Sequence, residues 1–118
     1  MRNLAMARTE INEFGIEITY DDNDNVIHVK YPDGYETWSE YDSNGNEIHY
    51  KESNGYQAWY DSNGRIIHAK FADGHEVWYE YSSNGKRIHW WDSNGYEAWY
   101  DSDGHQITKE EFAKLYSK

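Results

Sequence analysis

Histidine, carboxylate and tryptophan return together along this chain, and their spacing limits the chemistry available to them. The recurring sets are His28, His49, His68 and His89, then Glu36, Gln57, Glu76 and Glu97, then Trp38, Trp59, Trp78 and Trp99. A histidine column invites a metal. Its members are predicted two strands apart, about 9.6 Å, whereas zinc ligands sit about 2.1 Å from their ion. The expected role is a structural ladder in which each imidazole packs on an indole or bonds a carboxylate. Asp101-Ser102-Asp103-Gly104, with Glu110 further on, looks superficially like a calcium loop. Placing Gly104 at the loop's glycine position puts Trp99 where the first aspartate is required, so turn chemistry is the better reading. General acid–base or nucleophilic catalysis needs a constellation set apart by its surroundings. Here the same residues recur in every copy. No catalytic residue, metal or cofactor is expected.

One position breaks the pattern. Trp90-Trp91 stands where other copies have Val29-Lys30, Tyr50-Lys51 and Ala69-Lys70. Trp91 falls on the histidine and tryptophan face and replaces a lysine. Packing against a C-terminal helix is one reading. A binding hot spot is the other, since exposed tryptophan is enriched at such sites.

The elements that hold these residues are hairpins. Turn pairs recur as Asn44-Gly45, Asn63-Gly64, Asn84-Gly85 and Asp103-Gly104, with Asp24-Asn25 a degenerate first copy. A second series reads Asp33-Gly34, Asn54-Gly55, Asp73-Gly74 and Asn94-Gly95. Such pairs suit tight hairpin turns that demand positive φ. The copies are 20–40, 41–59, 60–80 and 81–99, with lengths alternating between 21 and 19 residues. A difference of two lengthens a strand without turning its side chains over. The array reaches back to Gly15, with Thr19 at a tryptophan position. The prediction is an all-β fold: one long twisted antiparallel meander of nine clear strands and a short tenth over 15–108. Its width is roughly 43 Å and its total twist roughly 160°. The better core face carries Ile27, Ile48, Ile67 and Ile88, then Val29, Tyr50, Ala69 and Trp90, then Thr37, Ala58, Val77 and Ala98.

Residues 109–118 are predicted to form a capping helix. Thr108 is its N-cap, Glu111 completes a capping box, and Phe112, Leu115 and Tyr116 make an apolar stripe. Residues 1–14 are expected to cover the opposite sheet edge through Leu4, Met6, Ile11 and Phe14.

Composition narrows the function classes. Aromatics are 18% of the 118 residues, which argues against disorder. There is no cysteine, so disulfide and thiol chemistry are excluded. No apolar run approaches the roughly 18 residues of a membrane span, and 1–8 lacks an apolar stretch long enough for a signal peptide. The expectation is a bacterial cytoplasmic protein. Net charge is −11 overall and −12 across 15–108 (18 acidic against 6 basic residues). Direct nucleic-acid binding is disfavoured, and a basic partner is favoured.

The stretch Tyr60-Asp61-Ser62-Asn63-Gly64-Arg65-Ile66, followed by Asp73-Gly74 and Trp78-Tyr79-Glu80-Tyr81, resembles the YD (RHS) repeat of bacterial polymorphic toxins. Tyr60, Asp61, Gly64 and Arg65 match its core, and most other copies lack the arginine. The resemblance implies a spiralling β strip; about five repeats are too few to close a shell. Gly55-Tyr56-Gln57-Ala58-Trp59-Tyr60 and Gly95-Tyr96-Glu97-Ala98-Trp99-Tyr100 are more weakly similar to choline-binding cell-wall repeats.

Taken together, the sequence points to a non-enzymatic acidic protein-binding module. The expected partner is a basic protein, foremost a nucleic-acid-handling enzyme whose groove is blocked, as by an anti-CRISPR-like or immunity-type inhibitor. Trp38, Trp59, Trp78, Trp99 and Trp91, with Glu36, Glu76 and Glu97, are the candidate contacts. Duplex DNA carries about one charge per 1.7 Å; the repeat region carries about one per 3.6 Å of predicted width. The alternatives are a carbohydrate or cell-wall binder with aromatic platforms, and a self-associating structural repeat. A homodimer burying the isoleucine and tyrosine face is one way to cover the sheet.

Overall fold

A computed structural model describes residues 7–116. The strands are β1 (Arg8–Ile11), β2 (Glu17–Tyr20), β3 (Val26–Lys30), β4 (Glu36–Tyr41), β5 (Glu47–Glu52), β6 (Gln57–Tyr60), β7 (Ile66–Lys70), β8 (Glu76–Tyr81), β9 (Arg87–Asp92), β10 (Glu97–Tyr100) and β11 (Gln106–Ile107), followed by α1 (Lys109–Tyr116). All eleven strands pair with their sequence neighbours in one open antiparallel sheet. The predicted meander of nine strands and a short tenth corresponds to β2–β11. β1 is an additional strand from the N-terminal segment. The N-terminal segment meets the edge of β2 as a paired strand, with Ile11 opposite Glu17, and the Ile11 and Phe14 side chains are exposed. Leu4 and Met6 lie outside the described residues.

The turns share one geometry. In each, the first residue's carbonyl accepts from the fourth residue's N–H, and the first residue's N–H donates to the fifth residue's carbonyl, as in Asp42–Asn46. Positive φ falls on the glycine at the fourth place, not on the Asn or Asp before it; among the described residues Asp24 is the only non-glycine residue in that region. This is a type I turn closed by a glycine bulge, not the two-residue turn that needs two positive φ values. A side-chain acceptor inside the turn supports it, on the first residue in several copies and on the third, Asp33 or Asp73, where Tyr31 or Phe71 comes first. Asp42 Oδ1 accepts from the N–H groups of Asn44 and Asn46, and Asp101 Oδ1 does the same for Asp103 and His105. A side-chain acceptor here stabilises the turn before any long-range contact forms.

A second bulge lies one residue into several strands. Glu40 pairs with His49 and Tyr41 with Glu47, so Ile48 has no residue opposite it. Ile27, Ile67 and Ile88 are skipped in the same way. This alters the predicted core face. Ile88 is buried, but Ile48 and Ile67 are 38% and 39% exposed. The local kink at a bulge turns the extra residue away from regular alternation. Tyrosine hydroxyls repair two of these places: Tyr41 donates to the Val26 carbonyl at 2.7 Å and Tyr81 to that of Ile66 at 2.6 Å.

The core is thin. Its buried members are Thr37, Ala58, Ala69, Val77, Ile88 and Ala98, all on the predicted core face, and no large side chain among the described residues is fully buried. Small residues occupy the middle and aromatic rings lie beside them: Tyr50 is cross-strand partner to Ala58, and Tyr56 packs at 5.7 Å from Phe71. The molecule is elongated, 54 × 35 × 27 Å, with a radius of gyration of 18.6 Å. A compact domain of this length has about 13.5 Å. The sheet does not fold back on itself.

At the far end, α1 forms as predicted. The Thr108 hydroxyl accepts from the Glu111 N–H at 3.1 Å, and the Glu111 carboxylate accepts from the Thr108 N–H at 2.9 Å. Phe112 lies against His89, 5.7 Å between ring centroids.

Candidate binding face

The face opposite the core carries the predicted histidines, tryptophans and glutamates. The histidines and tryptophans fall in three staggered rows rather than one column, and Glu36 stands in a neighbouring row with Glu17 and Lys30. The first runs Thr9, Thr19, His28, Trp38, Lys51, Gln57, Lys70 and Glu76 across β1–β8. The second runs Glu40, His49, Trp59, His68, Trp78, Trp91 and Glu97 across β4–β10. The third runs Glu80, His89, Trp99 and Ile107 across β8–β11. The step arises in the longer repeats. Ser39-Glu40 and Tyr79-Glu80 sit between the tryptophan and the turn, where the shorter repeats have nothing. Register is counted from the turn. Two extra residues therefore move the next histidine two places along, opposite a glutamate instead of the tryptophan.

Within a row the rings stand face to face. Trp59 stacks between His49 at 4.8 Å and His68 at 4.3 Å, and His68 stacks on Trp78 at 4.8 Å. Trp78 stacks on Trp91 at 6.0 Å, and Trp91 lies 4.7 Å from His89. His89 continues to Trp99 at 5.2 Å. His28 and Trp38 form a shorter stack at 5.4 Å. Trp91 is thus the joint between the second and third rows. The helix stripe lies against the neighbouring His89 through Phe112. In the first row Lys51 takes the place of Trp91, its ammonium 5.7 Å from the Trp38 ring centroid. A cation over an indole is a weaker version of the same contact.

Carboxylates fix the imidazoles. Glu36 contacts His28 Nε2 at 2.7 Å, Glu76 contacts His68 Nε2 at 2.8 Å and Glu97 contacts His89 Nε2 at 2.8 Å. Gln57 does so for His49 at 2.7 Å. Two partners escaped the sequence reading. Glu40 contacts His49 Nδ1 at 2.8 Å and Glu80 contacts His89 Nδ1 at 2.6 Å. Their signal was the two-residue insert itself, which introduces a glutamate each time. These two are the most exposed of the ladder carboxylates, at 69% and 53% for their side chains. All eight predicted contact residues therefore share one face. The indole faces, however, are largely taken by neighbouring rings, which leaves ring edges and carboxylates toward solvent.

The aspartates beside the turns serve the backbone. Hydrogen bonds from the N–H groups of Asn25, Asn46 and His105 hold Asp21, Asp42 and Asp101 below the usual carboxylate range. Glu52 is held low by the Tyr35 hydroxyl and then by that of Tyr50. Their charge persists, but their oxygens are committed.

Two further clusters stand outside the ladder. Asp101, Asp103 and His105 bring ligand atoms within 4.8 Å of one another, as a consequence of the last turn. His75 and Ser93 border an open depression of about 530 Å³, and Asp92 lies near His75. Ser93 Oγ is 3.3 Å from His75 Nδ1, and His75 Nε2 is 3.7 Å from Asp92. The second distance is too long for a hydrogen bond. Ser93 Oγ also accepts from the Glu76 N–H, as Ser53 does for Glu36, so its evident role is to extend the β8–β9 pairing. No helix among the described residues is long and apolar enough to cross a membrane.

No protein-family model matches this chain, and no curated protein matches it.

Proposed function

We propose that this protein is a non-enzymatic acidic binding module that presents its histidine–carboxylate–tryptophan face to a basic protein. The observation that carries this reading is the ladder itself. Glu76 and Glu97 are oriented by His68 and His89, each held between two indoles, and Glu36 by His28, which stacks on Trp38, so the negative charge is held in place along the face. Pre-oriented charge loses less side-chain entropy on binding than free surface glutamates do. Rows of acid on a twisting sheet 54 Å long suit the groove of an enzyme that handles nucleic acid. The biological setting we infer is inhibition in the bacterial cytoplasm, of the anti-defence or toxin-immunity type. A carbohydrate platform needs open indole faces, and here those faces are occupied by stacking, which favours a protein partner.

The test is capture of the partner from bacterial lysate at low and high salt, then affinity measurement with variants. Glu76→Lys with Glu97→Lys should weaken binding at least tenfold and flatten its salt dependence. Unchanged affinity and unchanged salt slope would sink electrostatic groove blocking.

A further inference from the structure

We propose that the outer edge of β1 pairs with the same edge of a second copy of this chain, Thr9 opposite Thr9 across a two-fold axis normal to the sheet. The inference is independent of the reading of the ladder face.

The two ends of the sheet are not alike. At one end β11 has only two residues, and α1 follows at once, packing on β10 and His89. At the other end, among the described residues, nothing pairs with the outer edge of β1. All four of its residues are exposed, Ile11 among them at 68%. An unpaired strand edge offers a row of backbone donors and acceptors. A two-residue strand at one end and a four-residue open strand at the other favour pairing between the two longer edges, which is two-fold and stops at a dimer. Head-to-tail pairing would run on into a filament.

The sequence of β1 selects a register. In antiparallel self-pairing about Thr9, Arg8 meets Glu10 of the second copy, Glu10 meets its Arg8, and Ile11 meets its Ala7. Opposite charges directly across a strand pair are favourable and like charges are unfavourable. Moving the register by two residues sets Arg8 against Arg8 or Glu10 against Glu10. Moving it by one sets Arg8 against Ile11 and puts the two faces out of step. Only pairing about Thr9 satisfies every charge. The β1–β2 pair already contains the same kind of contact, since Thr9 Oγ1 and Thr19 Oγ1 are 2.8 Å apart. Arg8 also reaches Glu10 and Asp24 within its own chain, so the pairing adds a third acid to a guanidinium that already lies among carboxylates. Because the axis is normal to the sheet, the rows beginning at Thr9 in the two copies join on one side.

The chain has no cysteine, so introduced ones report the register directly. Directly opposed residues in an antiparallel pair have Cα atoms about 4.5–5.5 Å apart, within the range a disulfide spans. Thr9→Cys should give a disulfide-linked dimer under mild oxidation. Arg8→Cys alone and Glu10→Cys alone should not, because like positions are then too far apart, whereas a mixture of those two variants should cross-link. Sedimentation equilibrium of the unmodified protein, from low micromolar to about 1 mM, should show reversible dimer. A strict monomer over that range, or cross-linking of Thr9→Cys no faster than of Arg8→Cys, would overturn the proposal. Circular dichroism of each variant confirms that the sheet is retained.

Discussion

Replacing Trp91 with alanine removes the joint between two aromatic rows. The ring contacts Trp78 at 6.0 Å and His89 at 4.7 Å. Each such pair contributes about 0.5–1.5 kcal/mol beyond its area, so the two together contribute about 1–3 kcal/mol. Loss of half-buried apolar surface adds about 1 kcal/mol. The expected destabilisation is about 2–4 kcal/mol. With an unfolding entropy of about 2.1 cal/mol/K per residue, a chain of 118 residues loses about 4 °C per kcal/mol, which puts the fall in Tm at about 8–16 °C. Trp91→Lys should fall less, because Lys51 shows that an ammonium can sit over the preceding indole, a contact worth about 0.5–1 kcal/mol. Thermal melts followed by far-ultraviolet circular dichroism measure both. The exciton signal of the stacked Trp78–Trp91 pair should vanish in both variants. If Trp91→Ala melts within about 2 °C of the unmodified protein, the stacking argument is wrong and the indole is free for a partner.

Acid should act through the turns. Asp21, Asp42 and Asp101 have lowered pKa values, so their contribution is present above the unfolded-state value of about 3.9 and is lost as pH falls below it. Asp42→Asn should therefore show a shallower loss of Tm below about pH 4 than the unmodified protein. Alkali should act through the tyrosines. Tyr35 is pushed up to about 12, first by its hydrogen bond to Glu52, so its contribution is present below about pH 10 and lost as pH rises through the folded value. Absorbance titration should show late-ionising tyrosines, and Glu52→Gln should bring them earlier. Gly45→Ala places a side chain at φ +85° with no neighbour to clash; it should cost about 1 kcal/mol, or about 4 °C, from backbone strain alone.

The architecture was legible because it is local. Nearly every turn is marked by a glycine at its fourth place and by a polar side chain at its first or third place, and each strand by what lies between turns, so a meander with a C-terminal helix follows from counting. The choice of core face was legible for the same reason: Ala58, Ala69, Val77 and Ala98 alternate with the ladder residues, and all four are buried. Even the absence of inversion between long and short repeats follows from a difference of two residues. Three things were decided only when strands met. The bulges left Ile48 and Ile67 half in solvent, because a skipped residue is a property of a pair of strands and not of either one. The two-residue insert turned one predicted column into three staggered rows, because register propagates from each turn to the next strand; Glu40 and Glu80 gained their histidine partners only through that stagger. The place of Trp91 depended on the same offset, which sets it opposite Trp78. Residue types and periods determine which side chains share a face. The register of neighbouring strands, summed across the sheet, determines which of them touch.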